Sequence, residues 1–115
     1  MKKISRKAIV KKLDKLVSEI VRERDKKCIT CGSTKRLTCG HLFSRVAYST
    51  RWDLTNCHCQ CWGCNYRHEF DPYPFQRWFA AKFGQKKLDE LWGKFHQVKK
   101  FKTYELIELY EELKK

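Results

Sequence analysis

The stretch that decides the fold is CITCGSTKRLTCGHLFSRVAYSTRWDLTNCHCQCWGCN, residues 28–65, which carries a Cys-x-x-Cys pair at each end. Cys28 and Cys31 form the first pair, and Cys61 and Cys64 form the second. The short spacing lets the two sulfurs of each pair converge on one ion, and four thiolates are a common ligand set for tetrahedral structural zinc. The two pairs therefore predict one structural Zn²⁺ that joins the ends of this stretch.

All seven cysteines of the chain lie between residues 28 and 64. An odd count argues against a closed disulfide framework. The other three cysteines are expected to be buried as small apolar side chains, with a second soft-metal site as the alternative. These three are Cys39, Cys57 and Cys59.

The N-terminus is basic but does not continue as a signal peptide, because Lys11, Lys12 and Asp14 interrupt the apolar residues that follow. No stretch of about 18 apolar residues predicts a membrane span. We therefore expect a cytoplasmic protein. Thiols stay reduced in that compartment, which favours metal over disulfides.

The charge balance predicts a polyanionic partner. The chain of 115 residues has 26 Lys and Arg against 13 Asp and Glu, which gives +13. An excess of this size favours binding to a nucleic acid backbone, with an anionic membrane surface as the competing interpretation. Hydrophobic residues make up 42% of the chain, which is enough for a packed core.

The pattern of apolar residues predicts one domain, 1–115, of α+β class and mostly α. Residues 1–25 are expected to form an N-terminal helix with a core-facing stripe, and 72–115 the C-terminal helices. Residues 26–71 are expected to form the zinc-bound core. The helices are predicted at 5–25, 65–70, 75–83, 86–97 and 103–114, and the strands at 36–39 and 54–59, with a loop over 43–53.

Two motifs between the cysteine pairs carry a family resemblance: GHLFSR at 40–45 and NCHCQ at 56–60, with Asn65 directly after the second pair. In order and spacing, residues 24–84 resemble the lambda NinG (Rap) recombination proteins, which belong to the HNH or ββα-metal nucleases. The arrangement is also similar to that of the phage endonuclease VII resolvases. The resemblance implies a zinc-stapled ββα-metal (HNH) core with flanking N- and C-terminal helices. It also implies a metal-dependent endonuclease that cuts branched DNA such as Holliday junctions or D-loops.

The same resemblance assigns roles to individual residues. His41 matches the general base, and Asn56 matches the Asn that fixes the hairpin loop and orients that His. Asn65 matches the ligand of a catalytic Mg²⁺ or Mn²⁺, and His68 or Glu69 is expected to complete that site from the same helix. These residue types suit the chemistry, because His titrates near neutral pH and hard cations prefer oxygen ligands.

The position before the general base departs from the pattern of many HNH enzymes, although NinG-like sequences share its small residue. Many HNH enzymes carry an acidic metal ligand there, whereas this chain has Gly40. The second ligand is therefore left open, with Asp53 and Asp71 as further candidates. His58, between two cysteines, is expected either to reach the active site or simply to pack.

DNA contacts are expected from three arginines that flank the proposed site: Arg45, Arg51 and Arg67. A resolvase must make two symmetric cuts, which favours a homodimer, with the apolar stripes of the terminal helices as the expected dimer surface. Two alternatives remain open at this point. One is a zinc-stabilised module that binds nucleic acid without cutting it, and the other is an HNH nuclease that does not select branched DNA.

Overall fold

A computed structural model describes residues 4–115 of the chain. Six helices and one two-stranded antiparallel sheet are present in this part of the chain. The elements are α1 (Arg6–Asp25), β1 (Leu37–His41), α2 (Tyr48–Arg51), β2 (Cys57–Cys61), α3 (Trp62–His68), α4 (Tyr73–Phe83), α5 (Gln85–Phe95) and α6 (Thr103–Lys114). The prediction of a mostly α chain with a small sheet is confirmed.

Helix α1 begins and ends as its sequence predicts. The Ser5 hydroxyl accepts a hydrogen bond from the amide of Ala8 at 3.1 Å and so caps the first turn. Lys26 ends the helix in the left-handed conformation, with φ 63°. The stripe that the periodicity placed toward the core is buried, and its members are Ile9, Leu13, Val17 and Val21.

Strands β1 and β2 form a hairpin in which His41 pairs with Cys57 and Leu37 pairs with Cys61. Side chains alternate between the two faces of a strand pair, so the two faces differ in composition. One face packs against α1 and carries Cys39, His41, Cys57 and Cys59. The other face is turned toward α3 and α4 and carries Thr38, Gly40, His58 and Gln60.

The predicted second strand at 54–59 is corrected to Cys57–Cys61. The chain turns first, because the Asp53 carboxylate accepts a hydrogen bond from the Thr55 amide at 2.9 Å. The Asp53 carbonyl also accepts from the Asn56 amide at 2.9 Å. The predicted loop over 43–53 is corrected as well, since it contains the short helix α2.

Helix α6 packs against α1 within the chain, and Leu106 is fully buried in the same core cluster as Leu13. The apolar stripes of the terminal helices are therefore covered by each other. They do not form the free dimer surface that was expected from the sequence.

Helices α4 and α5 pack on the opposite side of the hairpin and build a second core cluster. Helix α4 begins at Tyr73, two residues earlier than predicted, because Pro74 is tolerated in a first turn that needs no intrahelical amide donor. Gly84 ends this helix at φ 96°, at the predicted position. Within residues 4–115, no helix has the length and apolar character needed to cross a bilayer.

Candidate metal centre and adjoining cavity

The two cysteine pairs meet at one end of the hairpin. The sulfur atoms of Cys28, Cys31, Cys61 and Cys64 all lie within 4.8 Å of one another. The sulfurs of Cys31 and Cys61 are 3.7 Å apart. A tetrahedral site with Zn–S bonds of about 2.3 Å has sulfur–sulfur edges of roughly 3.8 Å, so this cluster fits zinc. The sequence prediction of a four-cysteine cluster that can hold a metal is confirmed.

Local backbone geometry builds each half of the cluster. Gly32 adopts φ 81°, and its amide donates to the carbonyl of Cys28 at 2.9 Å, which closes the first turn. In the second half, the amide of Cys64 donates to the sulfur of Cys61 at 3.5 Å, in the first turn of α3. Burial raises the pKa of Cys28, but hydrogen bonds from the Thr30 hydroxyl and from backbone amides outweigh it and bring the pKa to about 6. The surroundings therefore favour the thiolate at Cys28, whereas burial raises the pKa of Cys64 to about 12.

A cavity of about 640 Å³ opens between β1, α3 and the start of α4. Polar and charged side chains from three parts of the chain line it. They are His41, Ser44, Arg45, Asn65, His68, Glu69 and Gln76. The structure thus brings the predicted base, the predicted metal ligands on α3 and one predicted DNA-binding arginine to the same cavity.

His41 is held in a defined tautomer. Its Nε2 atom lies 2.9 Å from the carbonyl oxygen of Arg51. A carbonyl oxygen only accepts hydrogen bonds, so Nε2 carries the proton and the lone pair is on Nδ1. Burial lowers the pKa of His41, so the ring is neutral at pH 7. This ring can therefore accept a proton at Nδ1.

Asn56 is fully buried and joins the two ends of the segment between the strands. Its side-chain oxygen accepts from the Phe43 amide at 2.9 Å, and its nitrogen donates to the carbonyls of Phe43 at 3.0 Å and Thr50 at 3.1 Å. Thr50 directly precedes Arg51, whose carbonyl holds His41. Asn56 thus acts on His41 indirectly, through this segment. Its own side-chain hydrogen bonds are made to backbone atoms.

The predicted metal ligands on and next to α3 differ in which of their polar atoms already make hydrogen bonds. The nitrogen of Asn65 donates to the Thr38 hydroxyl at 3.0 Å, so the amide oxygen remains to bind a cation. His68 donates from Nε2 to the Leu42 carbonyl at 2.9 Å, and its Nδ1 is buried without a hydrogen-bond partner. Glu69 is exposed on the cavity wall. Together, the three residues therefore offer a cation two kinds of oxygen ligand, an amide and a carboxylate, and one imidazole nitrogen.

Gly40 is a glycine for a packing reason. A Cβ atom at this position would overlap the Oε1 atom of Gln60 and would lie 3.0 Å from its Cδ atom. Gln60 is itself buried on the paired strand, and the end of its side chain would have to shift to admit a Cβ atom at position 40. With Gln60 in this conformation, the hairpin leaves no space for the acidic side chain that many HNH enzymes have before the general base.

The two other acidic residues considered as metal ligands form ion pairs outside this cavity. Asp53 pairs with Lys94 at 2.6 Å, and Asp71 pairs with Arg67 at 3.1 Å. Neither of them lines the cavity of His41. Among the candidates from the sequence, His68 and Glu69 are the ones that share a cavity with Asn65.

The three predicted DNA-binding arginines differ in how exposed they are to solvent. Arg45 and Arg67 are exposed, whereas Arg51 is only 12% exposed and binds Asp14 through two nitrogens. A phosphate would have to displace the Asp14 carboxylate from Arg51. Arg45 and Arg67 are therefore the two whose guanidinium groups face solvent.

Asp14 is the residue that sequence reasoning missed. It lies on α1 beside the buried stripe and accepts from Arg51 and from the indole nitrogen of Trp52 at 2.9 Å. Its place between the buried Leu13 and Val17 is the signal that could have drawn attention to it. His58, left open by the sequence, packs among aromatic rings of α4, 4.9 Å from Trp78, and donates to the Thr55 carbonyl.

These features define a small α-rich protein with a two-stranded sheet and a four-cysteine cluster suited to zinc. The sequence matches the family described as "Bacteriophage Lambda NinG protein" over residues 1–115. The chain therefore belongs to the NinG family of phage proteins. Searches of curated proteins and of solved structures gave no match.

Proposed function

We propose that this chain is a metal-dependent endonuclease of the HNH type that hydrolyses phosphodiester bonds in branched phage DNA, in the cytoplasm of the host cell. The observation that carries the proposal is the shared cavity of His41, Asn65 and Glu69, bordered by Arg45. The order of two antiparallel strands followed by a helix, with the cysteine cluster at their junction, supports a ββα-metal core.

In this proposal His41 is the general base. Its Nδ1 atom takes a proton from the attacking water, while the Arg51 carbonyl holds Nε2 and so fixes the ring. A neutral ring is needed for this step, and burial keeps the pKa of His41 below its ordinary value. Asn56 acts as a positioning residue, because it fixes the segment that carries Arg51.

Asn65 and Glu69, with His68 beside them, would hold the catalytic Mg²⁺ or Mn²⁺. The donor set fits a hard cation, since the amide oxygen of Asn65 is free and Glu69 supplies a carboxylate. When bound, such a cation supplies stabilisation of the negative charge that develops on the phosphate and on the leaving oxygen. Arg45, exposed at the cavity rim, would add a phosphate contact.

An exposed aromatic ladder supports the choice of branched DNA. Trp62, Tyr66 and Phe70 lie on or next to α3 and are all exposed. The rings of Trp62 and Tyr66 stack at 5.5 Å, and Tyr66 meets Phe70 at 5.6 Å. Arg36 lies over the Trp62 ring at 5.6 Å. Aromatic surfaces with nearby cations bind unpaired bases by stacking, and a D-loop offers such bases in its displaced single strand.

Two symmetric cuts in a junction would need two copies of this site, so we propose a homodimer on DNA. The covered stripes of α1 and α6 exclude the apolar surface first expected for it. Light scattering on the complex with a four-way junction tests this part, and one chain per junction would contradict it.

The test of the proposal is cleavage of a four-way junction and of linear duplexes of the same sequences, with Mg²⁺ or Mn²⁺. We expect the wild type to cut the junction. His41→Ala should lose about 100-fold or more of the rate, the usual contribution of a general base. The matched control is His96→Ala, at the exposed end of α5, which should cut like the wild type.

Each other outcome leads to a defined alternative. If the wild type binds DNA but cuts neither substrate with either ion, the protein is a zinc-stabilised binding module and the nuclease proposal fails. If it cuts linear duplex equally well, it is a nuclease without selectivity for branches. In every case, binding through about five phosphates should give a slope of log affinity against log salt of about −4.

A further inference from the structure

A second group of metal-ligating side chains lies on the hairpin, outside the four-cysteine cluster. One ligand atom from each of Cys39, His41 and Cys57 lies within 4.8 Å of the other two. The strand register explains the grouping. His41 pairs directly with Cys57, and Cys39 is two residues from His41, so all three point from the same face of the sheet.

The environment of this group is that of a partly open site. Cys57 is fully buried, and its sulfur lies 3.4 Å from the Arg51 carbonyl that also holds His41. Cys39 and His41 line a small cavity of about 200 Å³ together with Asp14 and with Arg45 and Arg51, which both pair with Asp14. An ion can therefore approach from this side, and a water molecule has room to accompany it.

We propose that Cys39, His41 and Cys57 form a second soft-metal site that binds Zn²⁺, with a water molecule as the fourth ligand. Two thiolates and one imidazole are a donor set that suits zinc, and three protein ligands with one open position are typical of sites that keep a water. Binding releases the two thiol protons to solvent, so the two sulfurs neutralise the charge of the ion.

The site is separate from the first cluster, although both lie on one hairpin. Among the described residues, Cys59 belongs to neither group, even though it pairs directly with Cys39. Cys59 is therefore a control within the same strand and the same buried face. Its replacement perturbs packing much as that of Cys57 does, but it removes no ligand from either group.

The second site has a consequence for the reaction, and this part rests on the proposed function. His41 is the proposed base through Nδ1, and because Nε2 carries the proton that is donated to the Arg51 carbonyl, zinc would take the same Nδ1 lone pair that the base needs. Zn²⁺ at this site would therefore inhibit cleavage that Mg²⁺ supports. The inhibition should disappear when Cys39, which takes no part in the proposed reaction, is replaced.

The primary experiment measures metal content without DNA. Protein stripped of metal is refilled with Zn²⁺, desalted and analysed for zinc, and Co²⁺ is used in parallel because its thiolate absorption reports sulfur ligands. We expect two ions per chain in the wild type and in Cys59→Ser, and one in Cys39→Ser and in Cys57→Ser. Circular dichroism checks the folding of each variant, and Cys39→Ser carries the test if Cys57→Ser does not fold.

One ion per chain in the wild type would overturn the proposal. Retention of two ions by Cys39→Ser, or loss of one ion by a folded Cys59→Ser, would overturn it as well. The result is independent of nuclease activity, so a wild type that binds two zinc ions but cuts no DNA would refute the proposed function alone. Where cleavage is observed, added Zn²⁺ should inhibit the wild type and spare Cys39→Ser.

Discussion

Replacement of Asp14 by Asn should destabilise the protein through contacts far apart in sequence. The Asp14 carboxylate accepts from Arg51 Nε at 3.0 Å, from Arg51 Nη2 at 2.6 Å and from the indole nitrogen of Trp52 at 2.9 Å. These bonds tie α1 to the segment whose Arg51 carbonyl holds His41. Asp14→Asn removes the charge and one of the two oxygen acceptors, and so leaves Arg51 without its counter-ion.

The burial of the pair sets the size of the effect. Breaking a fully buried ion pair costs about 3–5 kcal/mol, and an exposed pair contributes at most about 1 kcal/mol. The side chains of Arg51 and Asp14 are 12% and 29% exposed, which lies between these limits but closer to the buried one. We therefore expect Asp14→Asn to lower the free energy of unfolding by about 2 kcal/mol.

The assay is urea denaturation of the zinc-loaded protein at pH 7. With a denaturant slope of about 1.5 kcal/mol/M, a loss of about 2 kcal/mol moves the midpoint down by about 1.3 M. The matched control is Asp71→Asn, whose pair with Arg67 is 39% and 63% exposed and spans one helical turn. That pair should be worth no more than about 0.5 kcal/mol, or about 0.3 M.

The stability that Asp14 contributes should depend on pH in a direction that follows from its pKa. Burial raises the pKa of Asp14, but hydrogen bonds from Arg51 and Trp52 outweigh it and hold the pKa below its ordinary value of 3.8. The stabilisation from Asp14 is therefore complete above that value and is lost as the pH falls through the folded-state pKa. Equal midpoints for Asp14→Asn and Asp71→Asn at pH 7 would refute the reasoning.

Three further predictions concern zinc, His58 and the aromatic ladder. Removal of zinc by a chelator should abolish the cooperative urea transition of the hairpin, and stoichiometric Zn²⁺ should restore it. Burial lowers the pKa of His58 to about 4, so stability should fall by up to about 1.4 kcal/mol per pH unit below pH 6.5. Urea midpoints at pH 7 and 5 should show a smaller loss for His58→Gln, and equal losses would contradict the assignment. Tyr66→Ala should weaken the binding of a single-stranded oligonucleotide by about 5-fold or more, as measured by fluorescence anisotropy at fixed salt. Tyr104→Ala, also exposed but on α6, is the control and should leave the affinity unchanged.

The features that the sequence predicted correctly are those encoded by short-range patterns. The four-cysteine cluster follows from two Cys-x-x-Cys pairs, and helix α1 follows from a capping Ser5 and a stripe of apolar residues at helical spacing. In both cases, side chains three or four residues apart determine the local structure, and no knowledge of the distant chain is needed.

The features that escaped prediction depend on contacts between distant segments. Asp14 and Arg51 are 37 residues apart, and no local pattern indicates that they meet. The dimer surface was misjudged for the same reason, since the stripe of α6 looks unpartnered until α1 is placed against it. Helix α2 was missed because it is only four residues long, too short to show a helical period.

The packing of Gly40 bears on which residues could bind the proposed catalytic cation. His41 points from the face of the hairpin that carries Cys57, whereas Asn65 binds Thr38 on the opposite face, and both reach the same cavity. An acidic residue before His41 would project on the face of Thr38, but the side chain of Gln60 fills that space. If a hard cation binds in this cavity, position 40 supplies no ligand to it, which leaves Asn65, His68 and Glu69 of the α3 region and Gln76 of α4 among the lining residues that could.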